Sequence, residues 1–253
     1  MTQKGMTFGS SPTSRRQVFA IGAAVCLLAP FIRAESPREK VLDAQTGLKI
    51  VVKTIGPATE SADLQIICIL KHDPSGDKYI EAVKDFNDKL GGLVASLRDR
   101  GDFVGEPGET LLFTPPGNTI APSRVLLIGV GEESALSLDN LRLAGRVAAR
   151  EAVRLGAKHV AFAPTLRDQG STRIDVADGD AAVVEQFLLA YDTQRRLRAE
   201  GLSPMEEITD FTIEAGPKYF DTTAEKVILA VASAAHRIKQ RDSGPFHRGG
   251  TAK

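Results

Sequence analysis

The stretch from Arg124 to Pro164 constrains this chain more than any other, because it reads as strand, glycine turn, long helix, glycine stop and second strand. Val125 to Val130 is almost unbroken apolar sequence, the composition of a parallel strand covered on both faces. Gly129 and Gly131 allow a sharp turn off that strand. Ser137 is placed to cap a helix, and Asp139 to favour the positive end of its dipole. Leu141, Ala144, Ala148, Ala152 and Leu155 then recur at steps of three and four, which gives one apolar face. Gly156 stands where a left-handed residue ends a helix, and His159 to Ala163 resumes a buried strand. Such a β-α-β crossover is right-handed in nearly every known sheet and needs layers on both faces. The fold class is therefore α/β.

The flanking sequence continues this alternation. Leu48 to Ile55 and Asp63 to Leu70 read as strands. From Tyr79 a helical face runs through Ile80, Val83, Phe86, Leu90, Leu93 and Leu97, with Gly91 and Gly92 splitting it in two. Residues 101–113 read as two short strands around a glycine turn, and Thr165 to Arg173 as a loop, with Ile174 a brief strand. Gly179 to Arg198 reads as a helix, Glu207 to Ala215 as a strand and Asp221 to Lys239 as the last helix. This places one domain over 48–240, a polar lead-in over 35–47 and a flexible, glycine-containing tail over 241–253. A core of this size hides roughly 70% of the unfolded chain's surface, so it needs no disulfide or metal staple.

Residues 1–34 have the layout of a signal peptide. A slightly basic start is followed by the apolar run Val18 to Ile32 and then the small residue Ala34, the expected cleavage site. That run is about 22 Å long as a helix at ~1.5 Å per residue, against a hydrocarbon core of about 30 Å, which favours removal over a permanent span. Arg15 and Arg16, followed by Gln17-Val18-Phe19, resemble the twin-arginine export motif, with a general secretory signal as the alternative. Export implies a periplasmic or secreted protein that meets the membrane only in transit. Without this segment the chain carries 28 basic against 32 acidic groups, a balance of −4 that argues against nucleic-acid binding. Only Cys68 then remains, inside an apolar strand, where it reads as an inert core residue.

Candidate chemistry is sparse. His72, His159, His236 and His247 show no metal-ligand spacing. Asp175, Asp178 and Asp180 form an acidic cluster without the ligand pattern of a calcium loop, and read as a solvated loop leading into a helix. Gly129, Gly131 and Ser134 lie between strand and helix, the context of a phosphate-cradling turn. A third glycine is missing, and Glu132 and Glu133 would repel a phosphate, so an architectural turn is the competing reading. On the central helix, Arg142, Arg146, Arg150 and Arg154 recur every fourth residue. They form either a solvated face with carboxylate partners or a docking surface for an acidic protein partner or a second copy of the chain.

The order of parts resembles the N-terminal domain of the M17 leucine aminopeptidases. The points of contact are Leu90 to Gly92, Gly101-Asp102-Phe103 with Gly105, Gly108 and Glu109, then Arg124 to Gly131, Leu141 to Gly145, Phe187 to Asp192, and Arg241-Asp242. The resemblance covers residues 48–242 and implies a macro-domain-like, three-layer fold: a mixed, mainly parallel sheet with helices on both faces. In that family the peptidase chemistry belongs to a C-terminal domain with two divalent metals, whose Asn-Thr-Asp-Ala-Glu-Gly-Arg signature is absent here. No catalytic residue and no metal ligand therefore carries over, and no cofactor is expected in this chain. The implied function is an exported, non-catalytic binding or regulatory module, whose partner is a protein or a small ligand at the strand carboxyl ends. The alternative is a component of a leucyl metalloaminopeptidase whose catalytic half is on another chain, or a truncated remnant of one.

Overall fold

The computed structural model describes residues 36–44, 46–204, 206–241 and 244–246. The export readings at Arg15, Arg16 and Ala34 lie outside the described residues, as does most of the tail. The strand-like stretches assemble into one seven-stranded sheet: β1 (Glu39–Asp43), β2 (Lys49–Lys53), β3 (Leu64–Leu70), β4 (Thr110–Phe113), β5 (Val125–Gly131), β6 (His159–Ala163) and β7 (Asp210–Glu214). Their spatial order is β1-β2-β7-β6-β3-β5-β4. The inner five strands run parallel, and the edges β1 and β4 are antiparallel to their neighbours. β3 and β5 are buried at every position, as their almost wholly apolar sequences favour, and Gln65 of β3 is buried with them.

Five helices complete the layers: α1 (Glu81–Lys89), α2 (Leu93–Asp99), α3 (Leu138–Arg154), α4 (Val176–Ala199) and α5 (Phe220–Lys239). On one face, Ala148, Phe187 and Val227 of α3, α4 and α5 bury against Ile66, Phe162 and Phe211. On the other, Val83, Phe86 and Val94 of α1 and α2 pack on Ile67, Ile69 and Leu127. The mixed, mainly parallel sheet between two helical layers is the expected architecture. The central unit folds as read: the Asn140 side chain accepts the Ser137 N–H at 2.9 Å to close the start of α3, and Gly156 (φ 62°) ends it. β3, however, lies between β5 and β6, so the crossover spans an intervening strand.

Three local readings change. Residues 101–113 hold one strand, β4, rather than two. The Glu109 carboxylate gathers the N–H groups of Val104, Gly105 and Glu106 at 3.1, 2.7 and 2.9 Å, so those amides have no ladder to join. Ile174 is not a strand. Its carbonyl accepts from Arg167 Nη2 just ahead of α4, which starts three residues earlier than read because Asp175 caps it. Within the stretch read as a lead-in, Glu39–Asp43 is an edge strand; its sequence is charged and its side chains mostly exposed, so it carries no apolar alternation.

Two glycines of the central unit owe their identity to close approach. A Cβ on Gly129 would stand 2.1 Å from the Glu106 carbonyl oxygen, and one on Gly145 would stand 2.4 Å from that of Val183. The first lets the 105–109 loop lie against the end of β5, and the second lets α3 settle onto α4.

Candidate functional site

The strands β6 and β7 end at one cleft of about 190 Å³, bordered by the starts of α1 and α4. Pro164 follows the last residue of β6, and the chain then bends through Thr165, which takes a positive φ of 49°. Side chains staple this bend to the end of β3. Thr165 Oγ1 donates to the Cys68 carbonyl at 2.6 Å, and the Gln169 amide both donates to Cys68 O (2.9 Å) and accepts from the Leu70 N–H (2.8 Å). The stretch read as a loop is thus fixed in place.

The bend delivers charge to the cleft. Asp168 accepts the Val83 N–H at 3.2 Å and so caps α1 from outside, since Ile80 at the N-cap position offers no side-chain acceptor. Burial raises the Asp168 pKa to about 6, with the nearby Glu81 charge adding to the rise and the α1 amides opposing it. Asp175 caps α4 in the same way, accepting from Ala177 and Asp178 at 3.0 and 3.2 Å. Glu214, the last residue of β7, is 7% exposed, and its carboxyl group is buried beside the Gln65 side chain. Burial holds its pKa well above the carboxylate range, partly offset by the Gln65 side chain and reinforced by the Glu60 charge. Lys53, whose charge also reaches Glu214, is itself bonded to Glu60 at 2.8 Å. Arg167 lines the cleft as well, with its Nε unpaired. Ile55, Leu141, Ile174 and Tyr219 supply the apolar wall.

The turn singled out in the sequence is a different place. Gly129 and Gly131 are engaged by the chain itself: the Gly129 N–H donates to Glu109 O and the Gly131 N–H to Gly105 O, at 2.8 and 2.9 Å. The 105–109 loop therefore engages both glycine amides of the turn. Ser134 is exposed in a short 3₁₀ turn, and its carbonyl accepts from Arg173.

The arginine row has partners at three of its four positions. Arg142 pairs with Asp139 (2.7 Å), Arg154 with Glu151 (2.6 Å), and Arg146 donates to Gln186 of α4 at 2.9 Å. Arg150 is exposed without an ion pair among the described residues.

The acidic cluster departs from the solvated loop expected of it. Asp180 lies in α4 with no exposed surface, because the helix starts early and turns this position onto α5, where Thr223 Oγ1 donates to it at 3.0 Å. His72 pairs with Asp77 and His159 with Asp210 at separate places. Among the described residues no group of three or more histidines, cysteines or acids is arranged to hold a metal, and no helix is long and apolar enough to cross a membrane. The sequence reading missed Glu214, Asp168 and Arg167. The available signal was an acidic residue closing the strand after Phe211-Thr212-Ile213, at the sheet end where α/β folds bind ligands.

Residues 70–201 match the family model described as "Cytosol aminopeptidase family, N-terminal domain". A probable cytosol aminopeptidase of Pseudomonas syringae pv. tomato is 34% identical over 101 residues, which is 40% of this chain and 19% of that protein. That of Geotalea uraniireducens is 28% identical over 159 residues, 61% of this chain and 30% of its own length. The chain thus spans less than a third of these relatives. Among solved structures, a mutant tomato leucine aminopeptidase superposes with a TM-score of 0.56 at 21% identity, over 80% of this chain and 37% of that one. An Oceanobacillus iheyensis macrodomain solved with ADP gives 0.55 at 9% identity, over 79% of this chain and 100% of that one. Both likenesses are of fold.

Proposed function

We propose a binding or regulatory role, exported and non-catalytic, for this chain, which belongs to the cytosol aminopeptidase family through its N-terminal domain. One observation carries the reading. The strand-end cleft presents charged side chains and an apolar wall suited to holding a ligand, while the Thr165 hydroxyl beside it is committed to the Cys68 carbonyl. The glycine turn likewise serves packing, being filled by the chain's own 105–109 backbone. The purified protein, assayed on leucyl substrates with and without zinc or manganese, is expected to give no turnover; metal-dependent turnover by the pure protein overturns the reading.

Export forms part of the proposal and rests on residues 1–34 alone. N-terminal sequencing of the protein recovered from the periplasm is expected to begin after Ala34. Lysine at both Arg15 and Arg16 is expected to trap the precursor if the twin-arginine route is used.

A second reading is a component of a metalloaminopeptidase whose two metals and catalytic half are on another chain. It is favoured by Ile228 and Leu229, which stand 42% and 65% exposed on α5 and offer an apolar patch to a partner chain. Co-purification of a metal-dependent leucyl peptidase, lost on Leu229→Glu, would decide for it. The arginine row contributes less to any docking surface than its spacing suggests, since only Arg150 is both exposed and unpaired among the described residues. Glutamate at Arg146 and Arg150 together tests that surface through partner recovery and oligomer size.

A further inference from the structure

We propose that α5 is a self-association surface, on which a second copy of this chain lays its own α5 antiparallel across a two-fold axis. The proposal rests on the binding-module reading and deepens it by naming the partner.

α5 is apolar on two sides. Its inner side, with Phe220, Ala224, Val227, Ala230 and Ala234, is buried in the core. Leu229 and Ala232 lie on the opposite side, with Ile228 on its flank, and all three are exposed. Leu229, at 65%, is the most exposed large hydrophobic side chain among the described residues, and Ile228 stands beside it at 42%. The other exposed ones, Val41, Ile80, Leu112 and Leu202, occur singly on separate segments, as scattered surface residues do. On α5 an adjacent pair is followed by an alanine about one turn on, which makes a knob beside a shallow hole.

The charges decide what covers this stripe. Along the flanks of α5 they are committed within the chain: Asp221 pairs with Arg38, Lys226 with Asp178 (2.8 Å) and Arg237 with Glu185 (3.2 Å). Glu225 and Lys239 are exposed without an ion pair among the described residues. Glu225 lies about one turn before Leu229, and Lys239 about two turns after Ala232. The stripe therefore runs acid, leucine, alanine, base. A two-fold axis between Leu229 and Ala232 makes that order its own complement. Leu229 of each copy sits over Ala232 of the other, and Glu225 of each comes within reach of Lys239 of the other. Ala232 carries no side chain beyond Cβ, so the two helices can approach to the near end of the roughly 8–10 Å range of packed axes. A partner of one charge sign would oppose one end of the stripe, whereas a second copy suits both ends. A single helix pair is a small interface, below the roughly 1,200 Å² of stable complexes, so the dimer is expected to dissociate at about 10–100 µM.

Sedimentation velocity of the full-length protein at about 1–500 µM tests the proposal, with a passage from monomer to dimer expected. Leu229→Glu replaces a side chain too exposed to support the fold. It is expected to weaken the dimer at least about hundredfold, because a two-fold interface carries the change twice. Leu202→Glu, on the loop after α4, is the control and should leave the dimer unchanged. Glu225→Lys and Lys239→Glu should each weaken it about tenfold. The two together should restore it to within about threefold, since the exchanged charges meet again across the axis. A monomer at 500 µM, a dimer unaffected by Leu229→Glu, or single exchanges that weaken it without rescue by the pair overturns the proposal. So does a pure protein that stays monomeric yet binds a separate peptidase chain through Leu229, which gives the stripe to the second reading above. Leucyl turnover, assayed on the same samples, bears on the non-catalytic reading alone, so the two can fail separately.

Discussion

Replacing Asp180 by asparagine isolates one buried charge and turns it into a stability measurement. Asp180 has no exposed surface; one carboxyl oxygen accepts from Thr223 Oγ1 and the other has no partner. Burial raises its pKa from 3.8 to about 7, with the Thr223 bond opposing the rise and the Asp175 charge adding to it. That rise from 3.8 to about 7 corresponds to about 4 kcal/mol by which the folded state resists ionisation. The sign follows from proton counts. Between the unfolded pKa near 4 and the folded value near 7, the native protein holds a proton that the unfolded chain has released. Stability therefore falls as pH rises through that window and levels off above it. Asparagine keeps an acceptor for Thr223 and removes the charge, but it introduces an amide whose unpaired donors cost about 1–3 kcal/mol at every pH. The variant should be the less stable protein near pH 4 and the more stable near pH 8. The difference should swing by about 4 kcal/mol between these limits. Urea unfolding at intervals across that range, with slopes held comparable, measures the swing. A difference that stays constant within about 1 kcal/mol would show that Asp180 is ionised or solvated in the folded protein, and would refute the reasoning.

Three further substitutions probe the framework that holds the cleft. Gly145→Val places a Cβ 2.4 Å from the Val183 carbonyl oxygen and should force α3 off α4, lowering stability by about 3 kcal/mol or more in the same urea assay. Arg98, whose side chain is 1% exposed, donates to Asp77 and to the Leu70 carbonyl (2.9 Å); Arg98→Met should cost about 3 kcal/mol by taking the guanidinium from Asp77, which keeps His72, Tyr79 and the Asp73 N–H, and the donor from the Leu70 carbonyl. Asp77 is held below the ordinary carboxylate range by Arg98 and His72 against its burial. The wild type should therefore lose that pair's stabilisation as pH falls below about 4, and the variant should show a shallower acid limb. Arg241→Met removes donation to Asp192 Oδ2 (2.6 Å) and Leu189 O (3.0 Å) and should raise hydrogen exchange at the carboxyl ends of α4 and α5, with little change in the sheet.

The parts legible in the sequence are those where one residue pattern has one structural meaning. Val125 to Val130 and Leu64 to Leu70 were readable because a strand buried on both faces is nearly all apolar, Gln65 being the one polar side chain in the two stretches. Ser137 and Gly156 marked the ends of α3 because caps are local chemistry. β1 was not readable: an edge strand needs no apolar face, and the sequence of Glu39–Asp43 serves equally well as a tail. The cleft was hidden for another reason. Thr165, Asp168 and Gln169 look like ordinary loop residues until Cys68, Leu70 and Val83, distant in sequence, supply the groups they bind. Asp180 was misplaced because its neighbours Asp175 and Asp178 suggested solvent, whereas the α4–α5 contact decides its surroundings. The arginine row was correctly periodic, yet periodicity says nothing of partners such as Gln186 on another helix.

The strand order also sets a timetable for folding. β2 is complete by Lys53, but its parallel partner β7 begins only at Asp210, and β7 also closes the open flank of β6. At synthesis rates of about 5–20 residues per second, the β1–β2 hairpin waits on the order of 10–30 s with one edge unpaired. An isolated two-stranded hairpin is at best marginally stable, so the first strands to emerge gain their stability from nearly the last. A chain interrupted before Asp210 would leave unpaired edges on both β2 and β6, two sticky surfaces that β7 covers in the finished sheet.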